Sequence, residues 1–363
     1  MKNGKNKKGS IKGWAVRIVL IVLCCLTAVF AACAALYPKG LQAAWSNVIS
    51  KRVRLPETDD WTGGKSFLKV PYAEDSESQY LDLYLPETDG VSGGKLPQLY
   101  VIIHGGGFIT NDSQSKQAQL MYRYFRDHGY ACATVNYRLA QEAQFPAALS
   151  DCKAAIRFLR AHAEEYGYDA RKLAVFGESA GGYLATMCSV TDDSQFTDVS
   201  FIGEENMDPV SGEVDLLVDY YGHIENEGAE EDWKKLGIPA LIRSVANSWI
   251  SGSATRGYAD VQSFWFRKNI TEMTPEEKAK VDPYTYIDSH DLEKLSVWII
   301  HGDADLTVPY LQSERLAAHM AQKLGDGRVS YTLYPGQGHA GDMLYSDEVL
   351  DGLKEYMDAW LRE

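Results

Sequence analysis

Short apolar runs recur along the chain near 66–72, 79–85, 98–104, 131–137, 172–176, 214–221, 297–301 and 329–334. From the third run onward they alternate with longer stretches of helical character near 115–128, 147–166, 181–189, 309–324 and 346–362. Such alternation predicts an α/β fold with a mostly parallel, eight-stranded sheet, helices on both faces and ligands at the C-terminal ends of the strands. The first two runs are joined only by the polar Glu74-Asp75-Ser76-Glu77-Ser78 and read as an antiparallel hairpin leading into that sheet.

Two stretches break the pattern. Residues 223–296 are too many for a plain crossover, and they mix Glu225, Glu227, Glu230, Glu231 and Asp232 with Trp233, Leu236, Leu241, Ile242, Trp249, Ile250, Phe264, Trp265 and Phe266. This insert is expected to be partly helical and to act as a lid over the pocket, with a surface helical hairpin as the alternative. The other break is at the start. Residues 1–17 hold six basic groups and no acid, a local charge of +6 in a chain of net charge −14, which leaves −20 for the rest. Ile18 to Tyr37 follow without a charge, enough for about 30 Å of helix.

The expected organisation is therefore a basic cytoplasmic tail (1–17), a transmembrane signal-anchor or signal peptide (18–37), a linker (38–64) and a catalytic domain (65–363). Cleavage near Ala32-Cys33-Ala34 competes with an uncleaved anchor, and Phe30-Ala31-Ala32-Cys33 is a poor lipobox-like match. Each reading puts the catalytic domain outside the cytoplasmic membrane, either anchored or secreted. The acidic balance excludes nucleic acid as a partner of that domain. Cys24, Cys25 and Cys33 lie in the apolar segment, and Cys132, Cys152 and Cys188 are scattered, so neither a disulfide framework nor a metal site is expected.

Chemistry is carried by Gly177-Glu178-Ser179-Ala180-Gly181, a G-x-S-x-G turn between an apolar strand and a helix-prone segment. Such a turn pushes a nucleophilic serine oxygen out of the sheet, and the flanking glycines keep neighbouring chains from clashing. Upstream, His104-Gly105-Gly106-Gly107-Phe108 ends another apolar run and offers backbone N–H groups for an oxyanion. With this pairing the acid and then the histidine follow the serine in the chain. Asp303 and Asp305 end the run at 297–301, and after them come only His319 and His339. His319 sits in a helical pattern without Gly or Pro, whereas His339 lies in the loop Pro335-Gly336-Gln337-Gly338-His339, which makes His339 the general base. The H-G-x-x-D spacing with Val308-Pro309 after it favours Asp305 as the acid, with Asp303 as fallback.

On these residues, together with Tyr80-Leu81-Asp82-Leu83-Tyr84-Leu85-Pro86, Val135-Asn136-Tyr137-Arg138-Leu139-Ala140, Phe145-Pro146-Ala147-Ala148 and Asp151, the chain resembles α/β-hydrolase esterases. The group is the hormone-sensitive-lipase-like and acetyl-xylan/feruloyl-esterase-like (BD-FAE-like) one. Gln141 departs from relatives that place a proline there, and no catalytic role is carried onto Asn136 to Leu139 or Asp151. The resemblance implies a carboxylesterase without cofactor or metal, with Ser179, His339 and Asp305 as catalytic triad and the N–H groups of Gly106, Gly107 and Ala180 as oxyanion hole. It also implies short acyl esters as substrates, of carbohydrate or other small alcohols. A serine peptidase or amidase on the same fold and a catalytically inactive, membrane-anchored binding module are the alternatives.

Overall fold

The computed structural model describes residues 63–87, 95–246 and 260–361, together with Cys24 and Thr27. The expected tail, the rest of the apolar segment, nearly all of the linker, and Trp249 and Ile250 lie outside the described residues. Among those described, no helix is long and apolar enough to cross a membrane.

Each apolar run becomes a strand: β1 Lys65–Pro71, β2 Tyr80–Leu85, β3 Gln98–Ile103, β4 Ala131–Val135, β5 Asp169–Glu178, β6 Leu216–Tyr220, β7 Ser296–Gly302 and β8 Val329–Tyr334. They form one eight-stranded sheet in the order β1-β2-β4-β3-β5-β6-β7-β8. β1 pairs antiparallel with β2 as the hairpin reading expects, β2 pairs antiparallel with β4, and the other neighbours are parallel. The expected fold is therefore the observed one. β5 begins three residues before its apolar run because Asp169 pairs in register with Gln98, whose Nε2 donates to Asp169 Oδ2 at 2.9 Å.

Strand side chains alternate between two cores, as the pleat requires. Leu173 and Val175 enter one core with Leu149, Leu184 and Leu316, while Ala174 and Phe176 enter the other with Phe125, Leu353 and Met357. The first face is thus covered by α2 (Ala147–Ala161), α3 (Ala180–Val190) and α9 (Leu311–Leu324), and the second by α1 (Lys116–Asp127) and α10 (Asp347–Leu361). Between β6 and β7 the insert holds α4 (Ala229–Lys235), α5 (Ala240–Ala246), α6 (Val261–Phe266), α7 (Pro275–Val281) and α8 (Pro283–Ser289). Its helical content matches the expectation, and α6, α7 and α8 start at side-chain caps. Thr274 and Glu277 form a reciprocal capping box on α7, and Asp260 Oδ1 accepts from Ser263 N at 2.6 Å on α6.

The strand order sets the position of the site. From β3 the chain runs to β4 on one side, then returns to β5 on the other, so β3 and β5 are neighbours whose exits diverge. Ile103 pairs with Gly177, which brings the glycine loop and the serine turn out of the sheet side by side.

Candidate active site

Ser179 sits between β5 and α3 at φ 55° and ψ −118°, a backbone conformation that a non-glycine residue holds at a cost of about 1–3 kcal/mol. The flanking glycines are required by space. A Cβ on Gly177 would stand 2.0 Å from the Gly181 carbonyl oxygen, and one on Gly181 would stand 2.3 Å from that of Ile103. The turn is tied down from the next strand, where Ser179 N donates to Tyr220 O at 3.0 Å and His223 N donates to Ser179 O at 3.1 Å.

The structure brings Ser179, His339 and Asp305 together from three loops. His339 Nε2 is 3.0 Å from Ser179 Oγ, and its Nδ1 is 2.7 Å from Asp305 Oδ2. The buried Asp305 is fully engaged: Oδ1 accepts from the amides of Thr307 at 2.7 Å and Val308 at 3.0 Å. Burial pushes its carboxyl up, but the facing charge of His339 and hydrogen bonds from His301 and His339 outweigh that and hold it well below the usual carboxylate range. Burial pulls the His339 imidazole down, yet Asp305, by charge and hydrogen bond, and Glu178 raise it above the ordinary histidine value.

The competing residues lie elsewhere. Asp303 Oδ1 accepts from Gly336 N at 2.6 Å, and His339 hydrogen-bonds Asp305 rather than Asp303. His319, on α9, is 2.7 Å from Asp288 Oδ1. The scaffold stretch forms its own knot, in which the buried Asp151 accepts from Gln79 Nε2, from the Arg138 amide and from the Arg138 guanidinium.

In the glycine loop, Gly106 at φ 117° and Gly107 at φ 61° adopt conformations suited to glycine, and a Cβ on Gly106 would stand 2.2 Å from the Thr110 carbonyl oxygen. The N–H groups of Gly106, Gly107 and Ala180 take no backbone partner among the described residues. His104 is buried beneath the loop, stacked on Tyr137 at 4.3 Å, and burial pushes its imidazole down to about 4, so it is neutral.

Three neighbours escaped the sequence reading, and a fourth, Trp265, entered it only as a residue of the insert. Glu178, buried beside the serine, accepts from Gly105 N at 2.7 Å and so links the serine turn to the glycine loop. Burial raises its carboxyl, partly offset by the Gly105 amide, by His339 and by the Tyr221 hydroxyl. His301 is a second histidine on the acid, with Nε2 3.1 Å from Asp305 Oδ2 and Nδ1 2.8 Å from Ser313 Oγ. Tyr221 packs edge-on against the His339 ring at 4.7 Å, and its hydroxyl hydrogen-bonds that of Tyr345. Trp265 of the insert stacks on Phe108 at 3.8 Å. Of the three that escaped, only His301 had a signal, the H-G-x-x-D spacing, which fixes a histidine four residues before the acid.

Among the described residues no cluster of three or more His, Cys, Asp or Glu side chains has the makings of a metal site. Cys132, Cys152 and Cys188 are free and buried.

Comparison with known proteins bears on the fold and the reaction class of relatives. The chain is 25% identical over 279 residues to a probable carboxylic ester hydrolase, LipM, of Mycobacterium tuberculosis, covering 76% of this chain and 56% of the relative. It spans about half the length of the first curated relatives it matches. Among solved structures, a truncated carbohydrate esterase from gut microbiota superposes with a TM-score of 0.63 at 23% identity, covering 84% of this chain and 99% of that one, a likeness of fold. A bifunctional GH43-CE protein of Bacteroides eggerthii aligns with a TM-score of 0.62 at 25% identity, covering 83% of this chain and 36% of that one. The BD-FAE family model matches residues 81–320, from β2 through most of α9, and the chain belongs to that family.

Proposed function

We propose that this chain is a serine carboxylic-ester hydrolase that cleaves short-chain acyl esters, carbohydrate acetates among them, through an acyl-enzyme. The observation that carries the reading is the continuous relay from Ser179 Oγ through the His339 ring to Asp305, at 3.0 Å and 2.7 Å, with the serine held at positive φ. Ser179 Oγ attacks the ester carbonyl as His339 Nε2 takes its proton. The tetrahedral oxyanion is stabilised by the N–H groups of Gly106, Gly107 and Ala180, each worth about 3 kcal/mol in the transition state. His339 then passes the proton to the departing alkoxide, the acyl group stays on Ser179, and a water activated by the same imidazole releases the acid. Asp305 holds Nδ1–H and stabilises the imidazolium. The esterase names of the relatives support the reaction class.

Replacing Ser179→Ala is expected to lower the turnover of p-nitrophenyl acetate by on the order of 10⁶, to abolish labelling by a fluorophosphonate and to leave the thermal unfolding transition in place. A folded S179A protein that still hydrolyses the ester at the wild-type rate refutes the assignment. We further infer that residues 18–37 tether the protein to a membrane, or direct its secretion, with the catalytic domain on the extracytoplasmic side. The +6 charge of residues 1–17 followed by twenty uncharged residues supports this orientation.

A further inference from the structure

The acid of the relay is shared between two imidazoles. Asp305 Oδ2 lies 2.7 Å from His339 Nδ1 and 3.1 Å from Nε2 of His301, a ring that the reaction above does not use. His301, near the end of β7, is fully buried, and so is Ser313, whose Oγ is 2.8 Å from His301 Nδ1. The partners of His301 Nε2 are Asp305 Oδ2 and, at 3.1 Å, the Val308 carbonyl oxygen. Both only accept, Asp305 being held ionised, so Nε2 carries the proton. In the neutral imidazole Nδ1 is then the acceptor, and the Ser313 hydroxyl donates to it. Ser313 is itself held in place. It stands in the first turn of α9 beside Gln312, whose Oε1 accepts from the amides of Ile224 and Glu225, each at 3.1 Å, and whose Nε2 donates to Glu225 O at 3.1 Å.

A carboxylate oxygen that accepts two hydrogen bonds holds each donor less tightly than one that accepts a single bond, because the other donor already compensates part of its charge. We propose that His301, with its tautomer set by Ser313, is a positioning residue that occupies Asp305 Oδ2 beside His339 and so limits how tightly the acid holds the proton on the general base. In each half-reaction His339 takes a proton and then gives it back, so a hold on the imidazolium that is too strong serves the first transfer and opposes the second. The other titratable groups that face this pair are Glu178 and His223, which act on His339 by charge, and Tyr221, whose ring lies 4.7 Å from that of His339 and 6.3 Å from that of His301.

On the ester-hydrolase reading, on which this role rests, the readout is the acid limb of kcat/KM for p-nitrophenyl acetate in the full-length protein. His301→Phe keeps a ring and removes the donor, which leaves Oδ2 to His339 alone. One hydrogen bond to a charged group is worth about one pH unit, so the limb is expected to move up by about that much, with H301F about tenfold slower than wild type on the limb and within about threefold of it on the plateau. His301→Gln, which offers an N–H at a similar reach, keeps the limb close to that of wild type. A merely structural role lowers the plateau and leaves the limb where it is. Fluorophosphonate labelling of Ser179 reports in each variant that the relay is assembled. A labelled H301F protein whose limb stays in place or moves down overturns the proposal and leaves the hydrolase reading standing. So does, whether or not the variant folds, a histidine-selective nitrogen NMR spectrum of the wild type in which the His301 proton sits on Nδ1 rather than Nε2. A wild type that neither hydrolyses the ester nor takes the label sinks the hydrolase reading, and the role of His301 with it.

Discussion

At the scale of single residues, two buried carboxyl groups end in opposite states, because partners outweigh burial at one and not at the other. Asp305 keeps its charge because two amides and two histidines surround it, and it raises the His339 imidazole in return. A general base works only when unprotonated, so kcat/KM is expected to fall as pH drops through the His339 value, on a limb that lies above that of a free imidazole. Asp305→Asn removes the main cause of the upward shift and leaves burial, which lowers it. The variant should lose activity by about 10⁴ while its residual limb moves to lower pH, and a limb that stays in place rules out Asp305 as the group that tunes His339. Asp219 is the converse case. It lies near the end of β6, fully buried and facing no cation, and burial pushes it up to about 7, with the Gly222 amide offsetting only a part. Between its unfolded and folded values the native state binds the extra proton, so this group's contribution to stability falls as pH rises towards 7. Asp219→Asn should therefore gain about 3 kcal/mol on wild type in going from pH 5 to pH 8, and denaturant titrations at those two values that change in parallel for both proteins would show the carboxyl to be ionised in the native state across that range, its value not raised by burial.

At the scale of elements, the insert is bound to both loops that flank the relay. Trp265 in α6 is fully buried between Phe108, Phe145 and Tyr183, and Phe145 N donates to Trp265 O at 3.1 Å. At the other end, Ile238 and Ile242 pack on Ala304 and Leu306, which bracket Asp305, and Arg315 of α9 bridges Glu225 and Asp232. A tryptophan so enclosed anchors the insert to the glycine loop. Trp265→Ala is expected to cost about 3–5 kcal/mol of stability and, below the melting range, to lower kcat more than it raises KM, because Phe108 loses the surface that holds Gly106 and Gly107 in place. If kcat measured on the folded variant equals that of wild type, Trp265 contributes to stability alone. Little of this was legible in the sequence. The strands and long helices were, because each carries its burial pattern within a single run of residues. Glu178 was not, since what defines it is a contact to Gly105, 73 positions away, and Trp265 was legible as a residue of the insert but not as the partner of Phe108.

At the scale of the whole molecule, the described sheet and its two cores are built from residue 65 onward. Its first edge strand starts at Lys65 and is paired to β2 along its length, both cores are built from residues between Tyr72 and Leu361, and every group in the relay comes from beyond Gly105. The charge runs the other way along the chain, with +6 in residues 1–17 and −20 in the remainder, so the two parts differ in where they are stable rather than in what they build. An anionic membrane surface attracts the first and repels the second. Removing residues 1–37 is therefore expected to shift the protein from the membrane fraction to the soluble one while leaving kcat/KM for p-nitrophenyl acetate within about twofold, since no contact described in the fold is lost. Fractionation of the full-length and shortened chains, with N-terminal sequencing of the mature product, separates an anchor from a cleaved signal. A full-length chain that remains soluble in the cytoplasm with its N-terminus intact would remove the case for export, and a shortened chain that folds but is inactive would show that the segment belongs to the catalytic unit.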